Sequence, residues 1–301
     1  MGYPDLAVKT IFWVQKLRPG NRCPFGQATF ASPEGLMGLE DLQLCAGENL
    51  TVHSPGSQFL KIVLHLSITI FFSSMLMSET KVPACAIGPA EIVATFVPNE
   101  IELNASHASA EWKDARAVVF CSDWQGKNPD PGRETMVRVL WSRRTLYLRF
   151  DCRYRELYLF ADAGTSGRRD HLWNRDVAEA FLQPDPSRER FYKEFEVSPN
   201  GMWIDLDISP KGLADLKSGL QRSVFLNEKE RTWAAELAIP LKALTSDFDS
   251  NAVWRANFYR VEGGKEPRTY LAWLPTTTPQ PNFHVPSAFG KLRFAAPPTA
   301  Q

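Results

Sequence analysis

Two widely separated stretches of the chain carry the side chains best placed to do chemistry. They are Leu172-Trp-Asn-Arg-Asp-Val-Ala-Glu-Ala-Phe181 and Pro281-Asn-Phe-His-Val-Pro-Ser-Ala-Phe-Gly290. Each sets a large aromatic, Trp173 or Phe283, in polar, turn-like sequence. Groups able to hydrogen-bond hydroxyls lie beside them: Glu179 in the first stretch, Asn282 and His284 in the second. An apolar plate with polar groups at its rim is the chemistry of holding a sugar ring. Pro281 and Pro286 stiffen the backbone around Phe283 and His284, which lowers the ordering cost when a ligand stacks there. The bland alternatives are a tryptophan at a sheet edge and a phenylalanine that plugs the end of the fold.

Catalysis is the poorer expectation. In a strand from Asp176 to Leu182, alternation puts Glu179 on one face with Val177 and Phe181, and Asp176 on the other with Ala178 and Ala180. A glycosidase needs two carboxylates converging on one bond, about 5 to 10 Å apart. No nucleotide-binding loop and no nucleophile–base motif lies between the two stretches. A second constellation sits in a hairpin of Phe195–Val197 and Met202–Ile208 joined by Ser198-Pro-Asn-Gly201. A four-residue loop in simple register sets Glu196 opposite Trp203 and Glu194 opposite Asp205 on the outer surface, with Met202, Ile204, Leu206 and Ile208 inward. Facing carboxylates call for a neutralising cation, either calcium or an arginine such as Arg255. A solvated face serves equally, so no metal site is assigned, and His284 has no second histidine at ligand spacing. Glu196 and Trp203 thus join Trp173, Glu179, Asn282, Phe283 and His284 as candidate carbohydrate contacts.

The elements that would position these residues read as strands. Thr145–Cys152 alternates Leu146, Leu148, Phe150 and Cys152 against Tyr147, Arg149 and Asp151. Met136–Trp141 precedes it across a Ser142–Arg144 turn, which makes a hairpin. Trp233–Ile239, Val253–Val261, Tyr270–Leu274 and Lys291–Phe294 add strands, while Leu213–Leu220 reads as a short helix or a loop. Many short strands with few helices predict an all-β antiparallel sandwich.

The chain has 301 residues, with 34 Lys plus Arg balancing 34 Asp plus Glu. A neutral chain has no overall field to gather nucleic acid, which argues against such a partner. Of the nine tryptophans, most are expected to fill the core. Five cysteines, at 23, 45, 85, 121 and 152, show no metal-type spacing. Cys121 and Cys152 could pair, although packing as free thiols is preferred. Residues 1–58 are punctuated by Gly, Pro and Ser and predict an irregular or disordered segment, which on one reading lies outside the natural protein. Phe59–Met77 is an apolar run followed by Ala84-Cys-Ala86, resembling a signal h-region with its cleavage site. Either the natural start lies further downstream than Met1, or Met75 or Met77 is that start. The expected division is 1–58 irregular, 59–86 signal-like and 87–301 a β-sandwich. A secreted or cell-envelope location follows, with membrane contact only if 59–77 is retained.

Trp173-Asn-Arg-Asp-Val-Ala-Glu-Ala-Phe-Leu182 resembles the signature of family 9 carbohydrate-binding modules: W, two polar residues, D, then VE and an apolar strand. Phe283-His-Val-Pro-Ser-Ala-Phe-Gly-Lys-Leu-Arg-Phe294 is similar to their closing motif, and the likeness spans about residues 95–294. The resemblance implies a jelly-roll, DOMON-like sandwich without catalytic activity, of bacterial type. It implies binding of glucose- or xylose-type mono- and oligosaccharides and polysaccharide chain ends between two aromatics. On this mapping Trp173 and Phe283 are the aromatics and Glu179 the acid that bonds sugar hydroxyls. Two departures stand out: Phe283 replaces a tryptophan, and Glu194-Phe-Glu196 occupies the strand that bears a sugar-bonding arginine. No cofactor is expected, and the family's calcium sites cannot be placed. A haem-binding, DOMON-type electron-transfer domain is the alternative, with Met136, Met202, His107, His171 and His284 as possible ligands.

Overall fold

The computed structural model describes residues 88–161 and 167–297. The expectations for 1–58 and 59–86 lie outside the described residues. Thirteen strands occur among the described residues: β1 (Glu91–Phe96), β2 (Val118–Phe120), β3 (Thr135–Trp141), β4 (Thr145–Arg153), β5 (Val177–Gln183), β6 (Tyr192–Val197), β7 (Trp203–Ser209), β8 (Gly212–Asp215), β9 (Gln221–Asn227), β10 (Thr232–Pro240), β11 (Trp254–Glu262), β12 (Thr269–Ala272) and β13 (Gly290–Phe294). They form one curled sheet in the order β8-β7-β6-β5-β11-β13-β1-β3-β4-β10-β9, with β12 on β11 and β2 on β3. The two halves of the curl are the layers of the sandwich.

β1 is the strand that joins them. Glu91–Ala94 pair with Lys291–Phe294 of β13, and Thr95–Phe96 pair with Leu140–Trp141 of β3. Both pairings are parallel, whereas the other strand pairings are antiparallel. The expected antiparallel sandwich is therefore mixed along this one strand. Gly290 permits the approach: a Cβ there would lie 2.7 Å from the Ala90 carbonyl oxygen and 2.6 Å from Leu274 Cδ1.

Period-two alternation builds the main core between the layers. Val137, Val139, Leu148 and Phe150 face Ala180, Phe195, Ala256 and Phe258. Phe150 and Phe258 meet edge to face with centroids 6.1 Å apart. Trp141, Trp233, Trp254 and Trp273 are buried in this core, so they pack the fold as expected of most tryptophans. Cys152 is a free thiol in the same core, its pKa pushed up to about 11 by burial. Cys121 is disulfide-bonded. The two therefore do not pair, and the free-thiol expectation holds for Cys152 alone.

The β6–β7 hairpin departs from the simple register. Val197 pairs with Trp203, Glu196 with Ile204 and Glu194 with Leu206. The connection spans Ser198–Met202, closed by the Ser198 amide donating to the Met202 carbonyl at 2.9 Å. Gly201, at φ 84°, takes the left-handed conformation that accommodates the fifth residue. A slip of one residue reverses which side chains are opposed. Trp203 consequently packs against the main core and Asp205 is buried, so neither faces outward as expected. Met202, Ile204, Leu206 and Ile208 are buried as expected, but in a second cluster on the outer face of this layer. Residues 213–220 form no helix: β8 takes the first three, and a loop takes the rest.

Candidate functional site

The outer face of the β5–β6–β7–β11 layer is where the two distant stretches meet. Alternation sends Val177, Glu179 and Phe181 of β5 to this face, and with them Glu194 and Glu196 of β6, whose register pairs Glu179 with Glu196 and Phe181 with Glu194. Tyr259 of β11 pairs with Glu179 on the same face. Above them lies a cavity of about 540 Å³. Its floor is Glu179, Phe181, Glu194, Leu206 and Val261. Tyr158, Trp173, Asn174 and Arg175 form one wall, and Pro281, Asn282, Phe283 and His284 form another.

Trp173 stands in a single 3₁₀ turn, Leu172–Asn174, that follows His171 at φ 56°. The turn is closed by the Arg175 amide on the Leu172 carbonyl at 2.9 Å. Leu172 anchors it in the second cluster, leaving Trp173 half-buried with the His171 ring edge-on at 4.9 Å. Arg268 ties the turn down from the far side. Its Nη1 donates to the Trp173 carbonyl at 3.0 Å, its Nε to the Gly263 carbonyl at 2.7 Å, and its Nη2 meets Asp176 Oδ1 at 3.5 Å. Asp176 is fully buried and accepts the Tyr158 and Gly263 amides at 2.9 and 2.8 Å. The aspartate of the first stretch is thus a clamp for the loops around Trp173. Burial raises its pKa to about 6 against those two amide bonds.

The second wall differs from expectation in detail. Phe283 lines the cavity but is only 8% exposed, because its ring stacks on Tyr259 at 4.1 Å and 12°. Phe283 is therefore largely a packed plug, and His284 is the exposed ring beside it. His284 Nδ1 lies 2.8 Å from the Tyr192 hydroxyl, and its ring sits 5.2 Å from Phe181. Asn282 is exposed and caps the turn by accepting the His284 amide at 3.0 Å.

Of the seven candidate contacts, Trp173, Glu179, Asn282, Phe283 and His284 come together at the cavity. Glu196 and Trp203 do not line it. Glu196 is buried beside Glu179 and Glu194 on the same face but outside the cavity lining, and the register turns Trp203 to the opposite face. Arg255 does not neutralise the carboxylates, since its guanidinium donates to the Phe289 and Ser287 carbonyls. Arg175, within the first stretch, lines the cavity although it was not singled out as a contact, and Tyr158, Arg268 and Tyr270 were not anticipated. No motif marks them, because they are scattered over loops and over the short β12.

The electrostatics of the floor are unusual. Glu179, Glu194 and Glu196 are all buried. Burial raises the pKa of each; the neighbouring acids push Glu179 and Glu196 further, well above the ordinary range. The Glu194 and Glu196 carboxyls are close neighbours, and keeping a proton on one of them avoids two buried like charges side by side. A raised carboxyl pKa means that the folded state holds more protons than the unfolded chain. The stability it contributes is complete below the ordinary glutamate pKa and is lost as pH rises through the raised values. Asp176 acts with the same sign, whereas Asp130, lowered to about 2 first by its Arg155 hydrogen bond, matters only in strong acid. The midpoint of thermal unfolding should accordingly rise as pH falls from about 8 to about 5, and Glu196→Gln should flatten that slope. A flat or inverted wild-type profile would contradict this account of the floor. Among the described residues, no group of three or more His, Cys, Asp or Glu is arranged to hold a metal ion.

Comparison with known proteins gives a consistent picture. A family model described as carbohydrate-binding family 9 matches residues 115–294. A protein of Arthroderma benhamiae described as an extracellular protein is 28% identical over 181 residues, which is 54% of this chain and 80% of the relative. Among solved structures, a Bacteroides uniformis protein for which carbohydrate binding is proposed superposes with TM-score 0.55 at 17% identity, covering 68% of this chain and 99% of its own. A family 9 module from Caldicellulosiruptor kristjanssonii in complex with cellotriose gives TM-score 0.52 at 13% identity, covering 69% and 95%. The glucose complex from the same organism gives 0.51 at 12%, covering 70% and 98%. The structural likenesses establish the fold. Nothing in these matches supports the haem-binding alternative, and the fungal relative gives the bacterial expectation no support.

Proposed function

The chain belongs to carbohydrate-binding family 9, and on that premise we propose that it is a non-catalytic module holding a gluco- or xylo-configured sugar, at a chain end, in the cavity beside Trp173. One observation carries the reading: the fold gathers two stretches far apart in sequence around a single cavity with an aromatic wall and a carboxylate floor. The sugars in the two Caldicellulosiruptor complexes are its support by analogy. Trp173 supplies the apolar plate, with His284 and Asn282 at the opposite rim. Glu179 and Glu194 accept or share hydroxyl protons from below. The arrangement suits binding better than hydrolysis. The two carboxyls of the cavity floor, Glu179 and Glu194, rise from adjacent strands on one side, whereas hydrolysis requires a pair that flanks the scissile bond. Export belongs to the same reading; its support is the extracellular relative and the disulfide at Cys121.

Titration of the protein with glucose, cellobiose, xylobiose and a reduced alditol, followed by tryptophan fluorescence, tests this. Saturation by the reducing sugars at roughly micromolar to millimolar concentration, with no response to the alditol, is the expected result. Saturation by the alditol at equal affinity would remove the chain-end assignment. Silence with every sugar would remove the site.

A further inference from the structure

The face beneath the cavity gathers more carboxyl groups than recognition of neutral hydroxyls requires. Glu179 is 2% exposed, Glu194 3% and Glu196 0%. Both oxygens of Glu196 and Oε2 of Glu194 have no hydrogen-bond partner among the described residues. The nearby cations are engaged with other groups: Arg175, which also lines the cavity, donates Nη1 to the Asn174 carbonyl and lies over the Tyr158 and Phe160 rings, 4.0 and 4.5 Å from their centroids. Arg268 serves the Gly263 and Trp173 carbonyls and Asp176, and Arg255 serves the carbonyls of Ser287 and Phe289. Lys193, on the opposite face of β6, pairs with Asp207 at 2.6 Å. His284 has its Nδ1 on the Tyr192 hydroxyl. Buried carboxylates without a partner are expensive, and a ligand that supplies the missing charge recovers that energy on binding.

We propose that the cavity selects a sugar bearing a protonated amine, a hexosamine residue whose ammonium is received by Glu194 and Glu179. This inference rests on the reading of the cavity as a sugar site and narrows its ligand class. An ammonium group carries three donors and one positive charge. Glu194 and Glu179 both line the cavity, and among the described residues neither forms an ion pair with a lysine or arginine. Glu196 is their neighbour on the same face and, outside the cavity lining, acts on the ligand only through the field. A hydroxyl at the same position brings donors but no charge. Trp173 contributes an aromatic face, which tolerates or favours a cationic sugar. With no metal-type cluster among the described residues, an organic cation fits better than calcium.

The test is calorimetric titration of the full chain with glucose, glucosamine and N-acetylglucosamine at one pH below the amine's own pKa. Glucosamine should bind at least about tenfold more tightly than glucose, the scale of one charge-assisted hydrogen bond in a desolvated site. N-acetylglucosamine should show no such gain. Raising the salt concentration should weaken glucosamine binding and spare glucose. Glu194→Gln should bring the ratio of glucosamine to glucose affinity close to one, whatever happens to the glucose affinity itself. Glucose binding as tightly as glucosamine would overturn the charge selectivity and leave the sugar site standing. Equal gains for glucosamine and its N-acetyl form would also overturn it, since shape would then outweigh charge. Failure of all three sugars to bind would dispose of the sugar site, and this inference with it.

Discussion

Trp173→Ala is expected to cut sugar affinity by about thirtyfold or more while the domain stays folded. Aromatic anchors in recognition sites commonly contribute about 2 kcal/mol or more, roughly a thirtyfold loss of affinity. A binder at the millimolar end of the expected range then falls beyond ordinary titration, and one at the micromolar end is left at roughly tens of micromolar. The fold should survive because the turn is held by Leu172 below and by main-chain bonds, not by the indole. Trp173 is only half-buried, so a drop of no more than about 5 °C in unfolding midpoint is expected. Circular dichroism and titration on the same sample separate the two effects. Undiminished affinity in a folded variant would place the ligand elsewhere.

Arg268→Ala should have the largest effect on stability. Its guanidinium is almost fully buried beside the fully buried Asp176, and it also holds two loop carbonyls. Removing it leaves the aspartate uncompensated, which typically costs about 3 to 5 kcal/mol. Denaturant unfolding gives the value directly, and sugar affinity should fall with it as the Trp173 turn loosens. Asp176→Asn in the Arg268→Ala background should recover part of the loss, because the lone buried charge is then gone. Additive losses from the two substitutions would mean that the pair does not act as a unit.

Much of the sandwich can be read from alternation, and the failures have physical causes. Thr145–Cys152 and Trp233–Ile239 pair along their lengths, and their side chains alternate between the main core and a partly covered surface. β8 escaped notice because all four of its residues are exposed, which leaves no hydrophobic period. β9 is the sheet's last strand and only partly covered, so its Gln-Arg-Ser start reads as loop. The β6–β7 register failed on one glycine whose left-handed φ no side-chain pattern reports. At the site, the two aromatic stretches were legible and their meeting was not, since it depends on which face each strand presents. The acid floor was the hardest to see. Glutamates at alternate positions normally mark a solvated face, and burial of three together contradicts that reading. Only the apolar company of Glu179, between Val177 and Phe181, hinted at it.

The way β1 pairs also decides how the domain responds to force. Residues 91–94 run parallel to 291–294, so the chain enters this pair at one end and leaves it at the other. Tension applied through the two flanking segments slides β1 against β13 along their length. The hydrogen bonds of the pair are then loaded together, in shear, and do not open one at a time as in an unzipping hairpin. Load entering through those two segments passes directly across this pair, so the strands beneath the cavity are not pulled while it holds.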